Sequence, residues 1–117
     1  MSFKRISFLS KEYVRAPVRA RRNGSAYDPT GATVELALMR KPGDITGTTP
    51  SDPYNDPAEA DWQTGSWETD GSRYLARATA GTGGTLAPSE RGIYQLWVRV
   101  TASPEVAVFY AGDVEFF

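Results

Sequence analysis

The apolar residues of this chain come in short alternating runs, broken by Gly, Pro, Asp or Ser, and no window sustains a 3.6-residue period. Alternation with period two buries one face of a strand. Gly (11) and Pro (8) are scattered along the 117 residues without repeating, and both interrupt helices. The pattern therefore predicts many short strands and an all-β fold. The length suits one domain with one core. No stretch approaches the roughly 20 apolar residues of a membrane helix. The N-terminal run carrying Lys4 and Arg5 is too short in apolar residues for a signal-peptide core, so the expectation is a soluble protein made in the cytoplasm.

A first extended region is expected over Lys4–Leu9 and a second over Tyr13–Arg21. In the second, Val14, Ala16, Val18 and Ala20 share one parity, while Tyr13, Arg15, Pro17, Arg19 and Arg21 share the other. Pro17 cannot donate to a ladder, which makes this an edge strand. Asn23-Gly24 and Asp28-Pro29-Thr30-Gly31 read as turns. Ala32–Arg40 is a strand with Val34, Leu36 and Leu38 on one face. Lys41–Asp61 contains Pro42, Pro50, Pro53 and Pro57 and reads as a long acidic loop, with one helical turn near Pro57–Ala60. Trp62–Thr69 and Ser72–Ala80 flank Asp70-Gly71, a strong hairpin dipeptide. Gly81–Gly84 is a flexible link. Ile93–Ala102 and Val106–Phe117 form the last hairpin.

Two registers compete in that hairpin. A three-residue loop at 103–105 sets Val100 opposite Val108, Val98 opposite Tyr110 and Tyr94 opposite Val114, giving one wholly apolar face. A two-residue loop sets Val98 opposite Phe109 and turns Val108 and Tyr110 to the polar side. A slip by one flips every side chain, so the first register is expected. It leaves Trp97, Phe109 and Ala111 as an exposed strip beside Gln95 and Arg99.

About seven strands linked by hairpins predict an antiparallel immunoglobulin-like β-sandwich, with a barrel as the alternative. In the run Leu86–Tyr94, a Leu, a Gly-containing turn and then Tyr94 match the tyrosine corner of such sandwiches. The predicted organisation is an extended basic arm or edge strand over 1–26, a sandwich domain over 27–117, and the loop at 41–61 within it.

The chain has neither Cys nor His. Disulfides, thiolate metal sites, Ser-His-Asp schemes and Cys-His schemes are therefore excluded. Carboxylate chemistry remains, but Glu68, Glu90 and Asp113 give no reason for choosing a pair, and no enzyme activity, cofactor or metal is expected. The acidic stretch Asp52–Asp61 lacks the spacing and central Gly of a calcium loop. Gly81–Gly84 lacks the Lys-Ser/Thr and helix of a phosphate loop.

Charge is uneven. Residues 1–41 hold nine Lys or Arg against three acids, +6; residues 42–117 hold four Arg against eleven acids, −7; together −1. Such asymmetry suits an electrostatic dock, or cancels if folding interleaves the halves. The candidate partner-binding residues are Arg15, Arg19, Arg21 and Arg22 on the basic run, and Trp97, Arg99 and Phe109 on the strip. For the run, the alternatives are the solvated face of an edge strand and, less favoured for want of interleaved aromatics, nucleic acid. For Trp97, the alternatives are shielding by Arg99 or by a loop.

Gly92-Ile93-Tyr94-Gln95-Leu96-Trp97-Val98-Arg99-Val100, with Ser103-Pro104-Glu105 and then Gly112-Asp113-Val114-Glu115, resembles the ending of small immunoglobulin-like proteins of tailed bacteriophages. Tyr27–Leu38 is similar to the first half of the same domains, which also occur at the start of some baseplate proteins. Trp62…Gly65-Ser66-Trp67 resembles an element of actinobacterial phages. The resemblance covers about residues 27–117 and implies a virion component of the head, head–tail neck or tail. Its implied partners are other virion proteins and copies of itself, without membrane or small-molecule substrate. The N-terminal 26 residues carry no such resemblance; they are expected to gain order from a partner, so that removing residues 2–22 leaves the domain folded. The alternative reading is a carbohydrate-binding module using Trp62, Trp67 and Trp97 as sugar platforms.

Overall fold

The computed structural model describes residues 2–22, 24–26, 28–41 and 54–117. Ten strands lie within them: β1 (Ser2–Ile6), β2 (Lys11–Val18), β3 (Arg21–Arg22), β4 (Ser25–Ala26), β5 (Thr33–Arg40), β6 (Gln63–Thr64), β7 (Ser66–Asp70), β8 (Arg73–Gly81), β9 (Gly92–Ala102) and β10 (Glu105–Phe116). Seven are five residues or longer. One 3₁₀ turn, Glu59–Asp61, stands where a helical turn is expected after Pro57. The remainder of the long loop, 42–53, with Asp52 of the acidic stretch, lies outside the described residues.

Two sheets pack face to face into an all-β sandwich. One runs β1-β10-β9-β5-β6, the other β2-β8-β7; β3 and β4 form a separate small ribbon. Among the described residues the strands pair antiparallel except β1 with β10, which is parallel over Ser2↔Gly112 to Ile6↔Phe116. Each sheet turns one parity inward. From the larger come Ile6, Val34, Leu36, Leu96, Val98, Val114 and Phe116; from the smaller, Val14, Ala16, Ala76, Ala78 and Ala80. Three alanines on β8 leave room for the larger side chains of the facing sheet, as close packing demands. β2 is an edge strand, and Pro17 sits in it opposite Leu75.

The N-terminal segment is part of this core. Ile6, Val14 and Ala16 are buried, and Val18 nearly so. β1 and β2 thus belong to different sheets of one sandwich, a placement that argues against the expectation that residues 2–22 are dispensable to folding. A segment that supplies both a ladder and core side chains cannot leave without opening the sandwich.

The last hairpin also corrects the expected register. Ala102 pairs with Glu105 across a two-residue loop, so Val98 faces Phe109, Val100 faces Ala107, and Trp97 faces Tyr110. A bulge at Ala111 then restores Gly112↔Leu96 and Val114↔Tyr94. An extra residue in one strand switches which parity faces the core, so Phe109 packs on the core before the bulge while Val114 and Phe116 do so after it. Gly112 holds φ at +131°, a region L side chains rarely adopt. The expected pairing at Tyr94 stands; those at Val98 and Val100 are off by one. Val108 accordingly lies outside the core, half exposed, and Tyr110 joins the Trp97 face.

Candidate functional site

Of the seven residues singled out in the sequence, three converge. Beyond Val18 the chain passes over the turn-proximal half of the β9–β10 hairpin. Between them lies a cleft of about 420 Å³, floored by Val100, Ala107 and Phe109 and edged by Arg19, Arg21 and Glu105. Phe109 is brought there by the bulge, which puts it on the cleft face instead of beside Trp97. Arg19 is exposed and makes no hydrogen bond or ion pair among the described residues. Arg21 reaches only the carbonyl oxygen of Gly24, at 3.4 Å. A second cleft, on the other side of the same segment, is edged by Arg19, Arg21 and Arg73. Arg73 is paired with Asp70. The side chain of Arg22 lies outside the described residues.

Arg15 stands apart. Its Nε donates to both carboxylate oxygens of Glu68, at 3.0 and 3.1 Å, and Arg77 donates to the same group at 2.9 Å. The Arg15 hydrogen bonds hold the Glu68 carboxyl below its ordinary range, against a smaller opposing effect of desolvation. Both guanidiniums also lie over the Tyr13 ring. Arg15 thus ties edge strand β2 to β7 across β8.

Trp97 and Arg99 lie on the outer face of the larger sheet, and the face is covered over Trp97. Trp97 is 9% exposed. Tyr54 meets its ring edge-on at 5.8 Å, and Tyr110 packs at 5.7 Å. The Asn55 backbone N–H donates to Gln95 Oε1 and its side-chain amide to the Arg40 carbonyl, so the segment after the long loop straps across β9 and β5. The exposed Trp97–Phe109–Ala111 strip expected from the sequence is therefore corrected: a strap covers Trp97, and the bulge moves Phe109 to the core face. The Trp97 Nε1–H has no acceptor among the described residues.

Arg99 is saturated. It donates to Glu35, directly opposite on β5, and to both oxygens of Glu59, while its guanidinium lies 4.8 Å over Trp62. The hydrogen bonds to Glu59 and then Glu35 push its pKa further up, and the same contact holds Glu59 below its ordinary value. Burial, and then a short hydrogen bond donated to Asp113, raise the Tyr110 hydroxyl pKa.

None of the three tryptophans offers an open platform. Trp62 lies under Arg99, Trp67 packs against the core with Nε1 donating to the Ala32 carbonyl, and Trp97 is buried. The carboxylates weighed for catalysis are engaged by cations: Glu68 as above, Glu90 by Arg40, and Asp113 by Lys41 at 2.8 Å. Among the described residues no group of three or more Asp or Glu is placed to hold a metal ion.

Tyr94 behaves as its sequence context predicts. Its hydroxyl donates to the Glu90 carbonyl at 2.9 Å and accepts from the Glu90 N–H at 3.3 Å, pinning the turn that enters β9. Comparison with known proteins finds no match of this chain to a family model, a curated protein or a solved structure.

Proposed function

We propose that this chain is a non-enzymatic structural protein of a tailed-phage virion, a component of the head, the head–tail neck or the tail, with an immunoglobulin-like sandwich as its fold. It is made in the host cytoplasm and works through contacts with other virion proteins and with copies of itself. The observation that carries the reading is the strand order. A sheet ordered β1-β10-β9-β5-β6 facing one ordered β2-β8-β7 parallels the variable-type arrangement, in which strands G, F and C are extended by C′ and face B, E and D. Tyr94, at the start of the strand equivalent to F, makes the backbone-directed hydrogen bonds of a tyrosine corner.

The resemblance of residues 27–117 to small phage sandwich proteins supplies the setting, since a fold alone does not name a function. The ion-paired carboxylates support a role without chemistry. Mass spectrometry and immunogold labelling of purified particles test the reading. The chain is expected in fixed stoichiometry at one structural location; particles that lack it sink the proposal.

A further inference from the structure

Two long strands with open edges among the described residues, β2 and β10, are guarded very differently. β2 carries Lys11, Arg15 and Pro17, the devices that keep an edge from pairing with foreign strands. In β10, the strand β1 lies only along Gly112–Phe116, so the outer edge of residues 105–111 has no strand beside it among the described residues. This stretch, Glu105-Val106-Ala107-Val108-Phe109-Tyr110-Ala111, holds one charge in seven residues and no Pro or Lys. Val106 is 57% and Val108 50% exposed.

The backbone is poised as well. Ala102 and Glu105 close a two-residue loop and are therefore a hydrogen-bonded pair. Alternation then turns the N–H and C=O groups of Val106, Val108 and Tyr110 away from β9. No partner outside the hairpin meets them among the described residues.

We infer that this edge takes a second copy of the chain, β10 against β10, antiparallel about a two-fold axis at Val108. The inference deepens the assembly reading above and rests on it for its setting. The occupant follows from self-complementarity. With the axis at Val108, Val106 meets Tyr110 of the second copy, Ala107 meets its Phe109, and Val108 meets its Val108. Apolar side chains lie opposite apolar ones on both faces. The two Glu105 carboxylates fall at opposite ends of the ladder, six residues or roughly 20 Å apart, beyond the screening length of about 8 Å at physiological salt. An axis at Ala107 would set Glu105 against the Phe109 ring and shorten the ladder, so register favours Val108. The contact is isologous and closes on itself, joining two five-stranded sheets into one. A ladder of this length buries less than a standard interface, so the association is reversible and concentration-dependent.

Sedimentation velocity on the full chain over a concentration series tests this. A reversible monomer–dimer equilibrium is expected. Val108→Pro removes an outward N–H that β9 does not use; it should keep the melting transition and weaken dimerisation about tenfold or more. In the unmodified chain, which needs no variant to fold, exchange of the Val106 and Val108 amides should slow as concentration rises. A chain that stays monomeric at every concentration, a dimer untouched by a folded Val108→Pro, or exchange independent of concentration each overturns the inference. An edge that instead serves a strand of another protein gives the first of these results. None of them bears on whether the chain is found in particles, which tests the virion reading separately.

Discussion

Trp97 and Val108 exchange the roles that alternation alone assigns them. Counting parity from a three-residue turn places Val108 inside and Trp97 outside; the bulge at Ala111 and the strap carrying Tyr54 reverse this. Trp97→Ala should therefore cost roughly 3–5 kcal/mol of stability, the range for deleting a large buried aromatic. Val108→Ala should stay within about 0.5 kcal/mol, as exposed positions do. Urea titrations of both variants check this, and equal losses would contradict the observed register. Tyr94 shows the opposite case: its role was legible from the turn before it, because the constraint is local, a hydroxyl reaching the backbone four residues upstream. The cover over Trp97 was not legible, because it depends on a segment some forty residues distant in sequence that carries no strong pattern of its own.

At the scale of the strand, alternation names the core-facing residues of a strand that keeps one register, although Ala37, Gln95 and Trp97 on the outer face of the larger sheet are buried as well. β2 buries Val14, Ala16 and Val18 as its parity requires, and β5 buries Val34 and Leu36. β10 breaks the rule, and the sequence does carry a sign of it: Gly112 stands inside an otherwise apolar run, and a glycine inside a strand often marks a bulge. Gly112→Ala forces a Cβ into φ +131° and should cost about 1–3 kcal/mol. The melting temperature reports it, and an unchanged value would mean the bulge relaxes freely. β1 and β2 make a second test of elements. Without residues 2–22 the larger sheet loses an edge strand, the smaller loses one of three, and the core loses Ile6, Val14, Ala16 and Val18. The truncated chain should show no cooperative unfolding transition in near-ultraviolet circular dichroism; a sharp transition would restore the view of these residues as an appendage.

Across the whole molecule, the charge asymmetry of the sequence resolves into pairs. Arg5 meets Glu115, Arg15 meets Glu68, Arg40 meets Glu90, and Lys41 meets Asp113, each joining the basic first part of the chain to the acidic remainder. Folding interleaves the two signs, and among the described residues Arg19 and Arg21, at the cleft, meet no carboxylate. Asp28, Glu59 and Glu68 all have pKa values lowered by hydrogen bonds, the first from Thr30, the second from Arg99 and the third chiefly from Arg15. A carboxylate with a lowered folded-state pKa contributes stability that is complete above its unfolded value and lost as pH falls through the folded one. The urea midpoint should therefore be flat near neutrality and begin to fall below about pH 4.3. These groups are exposed, so added salt should shrink the effect. A midpoint as high at pH 3 as at pH 7 would rule out the pairs as contributors.

The parallel ladder between β1 and β10 has a consequence in time. β1 is made before the other strands of this sequence, and its ladder partner is the last of them, across about a hundred residues of intervening chain. Closing so long a loop is slow and yields nothing until both ends are present. Ile6, at the end of β1, can therefore be sealed only after Phe116 has been made. During synthesis β1 remains an open strand, exposed to whatever else is nearby. Arrested nascent chains should become protease-resistant only once β10 has cleared the exit tunnel; resistance in chains ending before Glu105 would show that the rest of the sandwich closes without it.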